Sequence, residues 1–452
     1  MNPPTLLTGW GRTAPTAAHV VRPRTARQAA DALASAGPRG ALARGLGRSY
    51  GDAAQAAGGL VLDCTELTGP PRLDPDRGEV TAPAGTSMGR LITALLREGH
   101  FVPVTPGTRH VTLGGAIAAD VHGKNHHADS SLGAHVRALT LVTPDGRTRR
   151  LSPDGDDTDL FWATVGGMGL TGVITEATIA VHPVETAYAR VDTDRTGGLD
   201  ATLDLMARTD DDYRYTVCWL DLLARGAATG RGVLTRAHHA RIADLPRPLR
   251  RDPLHHRPTA PVGAPPWAPP RLLNRWTVGA FNAAYHAAAP ERRRGQAQPL
   301  SSFFHPLDAV RGWNRVYGPH GLVQYQFVVP FGAEDTLTDI VTGLSRAGAP
   351  SFLAVLKRMG EPTPGPLSFP RPGWTLALDL PADLPGLGRL LDGFDERLLE
   401  VGGRLYLAKD SRARAETVRA MYPDLPAWRR VRERADPDGV LVSDLARRLR
   451  LV

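Results

Sequence analysis

The spacing of apolar positions along the first 180 residues predicts a mixture of helices and strands. Apolar residues recur about every 3.6 positions after Thr25 and after Ser87, which predicts helices over 25–33 and 87–99, with Ser87 as an N-cap. Short apolar and β-branched runs predict strands over 40–43, 60–63, 79–82, 136–142, 148–151 and 173–179. This part of the chain is therefore α+β.

The pattern continues in the same way through the second half of the chain. Strands are predicted over 213–221, 321–329, 351–357 and 374–380, and helices over 199–207, 414–421 and 425–434. Gln324 and Gln326 fall on one face of their strand, because strand side chains alternate. That face is either the polar floor of a sugar-sized pocket or an ordinary solvated face.

Glycine clusters interrupt this pattern, and the most informative one lies at 106–127, PGTRHVTLGGAIAADVHGKNHH. Gly114 and Gly115 permit close approach of the backbone to another group. Hydrogen-bond donors and a lysine, Lys124, follow within a few residues. This order suits a large, phosphate-bearing cofactor. A helix packed tightly through Gly and Ala, followed by a polar loop, is the alternative.

A second glycine cluster, Arg44–Asp52, reads RGLGRSYGD. Backbone N–H groups in such a turn form anion-binding concavities, and the arginines can add charged hydrogen bonds. The G-x-G-x-x-x-G spacing, with no amphipathic helix directly after it, argues against a Rossmann fingerprint. A plain glycine-rich hairpin is the alternative.

Composition limits the class of protein. The net charge of +8 favours anionic partners, but no nucleic-acid-binding signature is present, so we expect no nucleic-acid partner. Two cysteines are too few for a disulfide scaffold or a zinc site, and we predict no metal. No apolar run approaches the roughly 20 residues that span a bilayer, and the N-terminus lacks a secretory signal. The sequence predicts a cytoplasmic protein, at most peripheral to the membrane, that reaches the cell envelope only by export with a partner.

Lysine is rare in this chain. Of the 54 basic residues, Lys124, Lys357 and Lys409 are lysine and all others are arginine. We expect lysine to persist where a compact ammonium does what a planar guanidinium cannot. Chance survival of three surface lysines is the alternative.

Several sequence blocks, in this order, resemble the vanillyl-alcohol oxidase and p-cresol methylhydroxylase family of FAD flavoproteins. They are LTGWGRTAP, ARGLGRSYGD, HGKNHH, DLFWATVGG, YGPHGLVQYQF and GGRLYLAKDSR, from Leu7 to Arg412. The resemblance implies a two-domain α+β fold of the p-cresol methylhydroxylase type, with an antiparallel-sheet substrate domain. It implies an FAD-binding domain at 1–186, a substrate domain at 187–403, and a C-terminal segment at 404–452 that completes the FAD-binding domain.

The resemblance also implies the site residues. Those for FAD are Ala43, Arg44, Gly45, Leu46, Gly47, Arg48, Ser49, Tyr50, Gly51, Asp52, Ala53, Gly107, Thr112, Leu113, Gly114, Gly115, Ala119, Asp120, Val121, His122, Ile174, Tyr406 and Lys409. Those for substrate are Tyr50, Lys124, Trp219, Phe304, Gln324, Gln326, Lys357 and Ala377. Lys409 would stabilise the negative charge on reduced flavin. Lys409 and His122 are both candidates for the catalytic base, and the sequence does not choose between them.

Three positions depart from the family. Arg48 stands where some members have a histidine bonded to the flavin. Guanidinium is a poor nucleophile, so we expect FAD to be held without this covalent bond. Ala377 and Phe304 replace a pocket cysteine and a pocket tyrosine, which predicts no trapping by thiol-directed inhibitors and leaves the identity of the sugar open.

The interval 238–295 is rich in proline and arginine and predicts either a mobile surface loop or a basic lid. As a lid, its arginines (Arg250, Arg251 and Arg292–Arg294) would face an anionic, lipid-linked substrate at a membrane surface. The residues proposed to seat an isoprenoid chain are Trp267, Leu272, Leu273 and Trp276.

The resemblance implies FAD-dependent oxidation of a sugar secondary alcohol to a ketone. The nearest activity in the family is oxidation at C2′ of a polyprenylphosphoryl-β-D-ribose, the oxidase half of an epimerase in arabinan and cell-wall synthesis. A separate NAD-dependent keto-reductase would complete the epimerisation. The alternatives are an alcohol or sugar-lactone oxidase acting on a free sugar, and a non-catalytic homologue.

Overall fold

The computed structural model describes residues 3–258, 262–265, 269 and 272–452. Trp267, one of the residues predicted to seat an isoprenoid chain, lies outside them. The strands are β1 Thr5–Leu7, β2 Thr16–Val21, β3 Ala41–Arg44, β4 Leu60–Asp63, β5 Arg72–Asp74, β6 Glu79–Pro83, β7 His100–Phe101, β8 Val136–Val142, β9 Thr148–Leu151, β10 Val173–Ala180, β11 His182–Pro183, β12 Tyr188–Thr196, β13 Tyr215–Leu220, β14 Gly232–His239, β15 Val262–Gly263, β16 Arg292–Pro299, β17 Val310–Arg311, β18 Leu322–Pro330, β19 Ala354–Met359, β20 Gly373–Pro381 and β21 Arg404–Leu405. The helices are α1 Ala26–Ala34, α2 Met88–Arg97, α3 Leu113–Ala118, α4 His126–Asp129, α5 Thr158–Thr164, α6 Leu199–Thr209, α7 Arg275–Ala288, α8 Leu300–Phe304, α9 Glu334–Ala347, α10 Leu387–Glu400, α11 Ala415–Met421, α12 Leu425–Ala435 and α13 Asp444–Arg448.

The two helices predicted from apolar spacing in the first part of the chain are present, and an N-cap residue precedes each of them. The Thr25 side chain accepts from the Gln28 amide at the start of α1, and the Ser87 side chain accepts from the Arg90 amide at the start of α2. Helix α2 buries its apolar face, as predicted, through Met88, Leu91, Ile92, Leu95 and Leu96. The predicted hairpin is confirmed as β8 and β9.

Among the described residues, the strands form three larger sheets. A four-stranded sheet has the order β1-β2-β4-β3, in which β3 and β2 run parallel to β4. A five-stranded antiparallel sheet has the order β5-β6-β10-β8-β9. An eight-stranded sheet, β16-β12-β14-β13-β19-β20-β18-β21, is antiparallel throughout. The α+β class with antiparallel sheets is therefore as predicted. The alternative of a hairpin at Arg44–Asp52 is wrong, because β3 and β4 are parallel.

The C-terminal segment returns to the first sheet. The Ala41 amide donates to the Val440 carbonyl at 2.7 Å, and the Val442 amide donates to the Ala41 carbonyl at 3.0 Å. Arg448 forms ion pairs with Asp52 and Asp410, both at 2.8 Å. The end of the chain is thus bonded to the strand that precedes the glycine turn.

The alternative of a mobile surface loop at 238–295 is wrong for residues 275–288 and 292–295, which form a helix and the start of a strand. Helix α7 lies within it and buries Val278 and Asn282. Arg292–Arg294 begin strand β16, which pairs with β12, and Arg294 forms an ion pair with Asp194 at 2.7 Å. These arginines therefore belong to a sheet edge. The capping signal that could have predicted α7 was in the sequence: Asn274 accepts from the Trp276 and Thr277 amides.

Candidate active site

One large cavity, of about 890 Å³, runs between the glycine turn after β3 and the face of the eight-stranded sheet. Its wall combines the turn at 43–50, residues from 105–124, strands β13, β18, β19 and β20, and the C-terminal Tyr406, Ala408 and Lys409. These segments are far apart in sequence. The cavity therefore exists only once the sheets and the C-terminal segment have come together.

The glycine turn presents its backbone to one end of the cavity. The amides of Leu46–Ser49 donate to no acceptor in the described part of the chain, and Gly47 adopts φ +63°. A Cβ added to Gly45 would lie 2.2 Å from Thr112 Oγ1. The turn therefore approaches the segment around Thr112 more closely than any residue other than glycine would allow. Consecutive unpaired amides of this kind form an anion-binding nest.

The two arginines of this turn were predicted to donate charged hydrogen bonds to an anion, but their guanidinium groups contact protein groups instead. Arg44 donates to the Ala54 carbonyl at 2.7 Å and to the Thr8 carbonyl at 2.8 Å, so its guanidinium holds the turn in place. Arg48 stacks on the Trp10 ring at 3.9 Å and donates to the His110 carbonyl. The backbone, rather than guanidinium groups, is the principal donor set here.

The segment around α3 forms the middle of the wall. Thr112 caps the helix by accepting from the Gly115 amide, and a Cβ at Gly114 would meet the Ala84 side chain at 3.0 Å. Both interpretations of 106–127 hold in part, because a tightly packed helix forms and its glycine face also lines the cavity. Of the donors after it, His122 and Lys124 reach the cavity, whereas Asn125, His126 and His127 bond to neighbouring protein groups.

All three lysines of the chain line this one cavity, so chance survival on the surface is wrong. Lys124 donates to the Phe303 carbonyl and lies over the Phe303 ring. Lys357 Nζ lies 3.2 Å from Nδ1 of His122. Burial lowers the pKa of both lysines to about 7.

Lys409 differs from the other two lysines. Its Nζ has no hydrogen-bond partner among the described residues and lies 4.2 Å from the centre of the Tyr50 ring. Burial lowers the pKa of Lys409 to about 8, although the carboxylate of Asp379 opposes part of this shift. Asp379 is fully buried and accepts from Gln324 Nε2 at 2.5 Å, while its Oδ2 has no partner among the described residues. Lys409 is thus the ammonium group available to a ligand.

His122 is held by contacts on both ring nitrogens. Its Nδ1 faces Lys357, and its Nε2 lies 2.9 Å from the side-chain amide of Gln326. The amide nitrogen of Gln326 donates to Nε2, so a neutral imidazole carries its one proton on Nδ1 and donates it to the neutral amine of Lys357. Burial, together with the charges of Lys357, His126 and Lys409, holds the pKa of His122 well below its usual value.

Residues 17–152 match the FAD binding domain family, and residues 383–449 match the D-arabinono-1,4-lactone oxidase family. The chain is 45% identical, over 99% of its length and 97% of the relative's, to decaprenylphosphoryl-beta-D-ribose oxidase of Mycolicibacterium smegmatis. The chain belongs to the decaprenylphosphoryl-β-D-ribose oxidase family. It is also 24% identical, over 95% of both chains, to L-gulono-1,4-lactone dehydrogenase of Mycobacterium tuberculosis.

As a member of the decaprenylphosphoryl-β-D-ribose oxidase family, the protein is an FAD-dependent oxidoreductase. The cavity fits that cofactor on two observations. Unpaired amides at Leu46–Ser49 match a pyrophosphate, and the cradle around Gly45 and Gly114 would be filled by any Cβ. The matched FAD-binding segment contains both features.

Most residues predicted from the family resemblance line the cavity. From the cofactor set they are Ala43, Arg44, Gly45, Leu46, Gly47, Arg48, Ser49, Tyr50, Ala53, Gly107, Thr112, Gly114, Gly115, Ala119, Val121, His122, Ile174, Tyr406 and Lys409. From the substrate set they are Tyr50, Lys124, Trp219, Phe304, Gln324, Gln326, Lys357 and Ala377. Gln324 and Gln326 are buried, so the alternative of a solvated face is wrong.

Four predicted cofactor residues do not reach the wall. Asp52 is paired with Arg448, and Leu113 is fully buried in the core. A Cβ on Gly51 would meet the Asp410 carbonyl at 2.1 Å, so Gly51 packs against the C-terminal segment. Asp120 points away and accepts from Gly133, Thr363 and Ser368. These residues support the wall from behind.

Several wall residues were not predicted. Trp10 stacks on Arg48, and His110 adjoins it. Tyr285 on α7 contacts the edge of Trp219, with ring centres 4.7 Å apart. Trp10 fell in a block that carried the family resemblance and His110 in the glycine cluster at 106–127, whereas no sequence pattern placed Tyr285 near the cavity.

Proposed function

We propose that this protein oxidises the C2′ hydroxyl of a polyprenylphosphoryl-β-D-ribose to a ketone. The observation that carries the proposal is the convergence of Lys124, Lys357 and Lys409, the chain's three lysines, on one cavity that also contains the pyrophosphate nest. The near full-length similarity to a decaprenylphosphoryl-ribose oxidase supports the substrate class.

In this proposal, bound FAD supplies the acceptor for the hydride that leaves C2′. Residues Gly45–Ser49, Thr112, Gly114 and Gly115 would hold FAD without the histidine-type covalent bond, since Arg48 takes that place. Lys409 Nζ, in its neutral form, accepts the proton of the C2′ hydroxyl. The resulting ammonium balances negative charge at this end of the cavity.

His122 is a positioning residue in this scheme. Both of its ring nitrogens contact protein groups, Lys357 and Gln326, so neither nitrogen is directed at a substrate. The free Nζ of Lys409 and its pKa of about 8 suit a general base better. Lys124, Trp219, Phe304, Gln324 and Ala377 would then shape the sugar site.

We also propose the two-domain arrangement of the family, with an FAD-binding part at 1–186 and 404–452 and a substrate part at 187–403. The backbone bonds of Ala41 to Val440 and Val442 support the return of the C-terminal segment to the FAD-binding part. A cytoplasmic or membrane-peripheral location and an NAD-dependent keto-reductase partner complete the proposal. Within the described residues, no helix is long and apolar enough to cross a membrane.

A second function, oxidation of a free sugar or sugar lactone, is favoured by the match of residues 383–449 to the lactone oxidase family. Anaerobic bleaching of the flavin absorbance separates the two. We expect bleaching with a short, water-soluble farnesylphosphoryl-β-D-ribose and none with ribose or L-gulono-1,4-lactone. Bleaching by the lactone alone would support the second function, and a purified protein that takes up no FAD would overturn both.

A further inference from the structure

Helix α7 is a surface helix with an unusually apolar exposed side. Of its 14 residues, only Val278 and Asn282 are buried. None of the residues from Trp276 to Pro290 is Asp, Glu, Lys or Arg. A surface helix ordinarily buries one face and carries charged residues on the opposite face. In α7 that opposite face is occupied by alanines: Ala280, Ala283, Ala284 and Ala287.

The largest side chains of α7 are also exposed. Trp276 is 72% exposed, Phe281 50% and Tyr285 47%. The parallel pair β15 and β17 also exposes apolar side chains, Val262 at 75% and Val310. An exposed apolar surface such as that of α7 marks a site that meets another apolar phase.

This apolar surface continues into the cavity. Tyr285, Ala288, Ala289 and Pro290, in and just after the last turn of α7, line the cavity wall. The Tyr285 ring lies between the outer surface of the helix and the cavity, since it stacks near Phe281 on the helix and meets the edge of Trp219 in the cavity wall. The helix therefore borders the opening through which a ligand would enter.

Charge is placed only at the two ends of the helix. Arg275 begins it, with its guanidinium over the Trp276 ring at 4.5 Å. Glu291, which forms an ion pair with Arg195 at 3.2 Å, and then Arg292 and Arg293 follow it, and all three are exposed. Arginines beside an uncharged, aromatic-bearing surface are complementary to an anionic headgroup layer over an acyl layer.

We propose that α7 lies flat in the interface of an anionic membrane, with the mouth of the cavity turned toward the lipid. A helix of 14 residues is about 21 Å long, too short to cross a bilayer but sufficient to lie on one. The further step, that a lipid-linked substrate enters along Tyr285 without leaving the bilayer, rests on the proposed function.

A pair of charge-matched double variants tests this proposal. Ala280→Glu with Ala284→Glu places two carboxylates on the outer face of α7. Ala201→Glu with Ala207→Glu places two at exposed positions of α6, so both proteins have the same net charge. The FAD-loaded proteins are floated with vesicles of phosphatidylglycerol and phosphatidylcholine in equal parts.

We expect the wild type and the α6 variant to bind the vesicles alike, and the α7 variant to bind about tenfold more weakly. Equal weakening in both variants would overturn the proposal, because binding would then depend on net charge alone. So would a wild type that does not bind. Loss of a dimer in the α7 variant, without vesicle binding by any protein, would instead identify an interface between copies.

The control for folding is the FAD absorbance of each variant. Bleaching by farnesylphosphoryl-β-D-ribose in detergent-free buffer should be the same in all three proteins, since this substrate needs no membrane. Absence of that bleaching, with vesicle binding unchanged, would count against the proposed substrate and leave the membrane role of α7 standing.

Discussion

The two ends of the cavity recognise their ligands by different means. At the glycine turn the donors are backbone amides from one short segment, Leu46–Ser49. At the other end they are side chains of His122, Gln326, Lys357 and Lys409, which come from four distant segments. Recognition by backbone amides depends on close approach that a Cβ would block. Recognition by side chains depends on their charge and on which atom carries the proton. The first end should therefore govern cofactor affinity, and the second should govern turnover.

The largest expected effect is at Lys409. Arginine at this position keeps a positive charge but does not deprotonate near neutral pH, so it cannot act as a base. We expect Lys409→Arg to lower kcat by about a thousandfold while FAD remains bound. The measurement is the rate of anaerobic flavin bleaching, with FAD content read from absorbance.

Chemical rescue adds a control to that experiment. Lys409→Ala should regain part of its activity with added primary amines, and more with amines of higher pKa. Near-normal turnover in Lys409→Arg would show that the group supplies only charge and would remove it as the base.

The next effect belongs to the other end of the cavity. Gly45→Ala would force its Cβ to within 2.2 Å of Thr112 Oγ1, so the turn or α3 must move. We expect FAD affinity to fall by about a hundredfold, a cost of roughly 2–3 kcal/mol. Because only the nest is disturbed, kcat at saturating FAD should stay close to that of the wild type.

Fluorescence titration of the apoprotein with FAD measures this affinity. The matched control is Gly388→Ala in α10, where an added Cβ meets nothing within 4 Å. It should bind FAD like the wild type. A Gly45→Ala protein with normal affinity but reduced kcat would contradict the division between the two ends.

The pH dependence sharpens the role of the side-chain end. A base acts in its neutral form, so kcat/KM should rise about tenfold per pH unit below the pKa of Lys409 and level off above it. Burial places that pKa at about 8. A cation that only stabilises charge gives the opposite sign, with activity falling as pH rises through 8. The profile of kcat/KM between pH 6 and 10 distinguishes the two.

The same contrast explains what the sequence could predict. The glycine turn and α3 are local features, and glycine spacing indicated both, with α3 as one of two alternatives for 106–127. The role of the arginines in the turn was predicted wrongly. The carbonyls that bind Arg44 come from Thr8 and Ala54, whose proximity to the turn depends on the tertiary structure. Lysine rarity predicted the importance of the side-chain end. Its hydrogen bonds, such as Gln326 to His122, join residues about 200 positions apart, and no local pattern encodes them.

The smallest effect on turnover is expected at Ala377, which lies on the cavity wall. Its Cα partners across the sheet are Gln326 and Val355, so the position adjoins one polar side chain without supplying another. Ala377→Cys adds a single sulfur facing the cavity, and we expect kcat/KM to change by less than about threefold.

The variant should, however, become open to covalent labelling by thiol-directed reagents, because the two native cysteines are buried and burial raises both of their pKa values. Mass spectrometry of the labelled protein, with the wild type as control, measures this. Equal labelling of both proteins would mean that Cys64, which also lines the cavity, is reactive. Protection of the new thiol by substrate, but not by FAD alone, would place Ala377 at the side-chain end, where geometry can change without loss of cofactor.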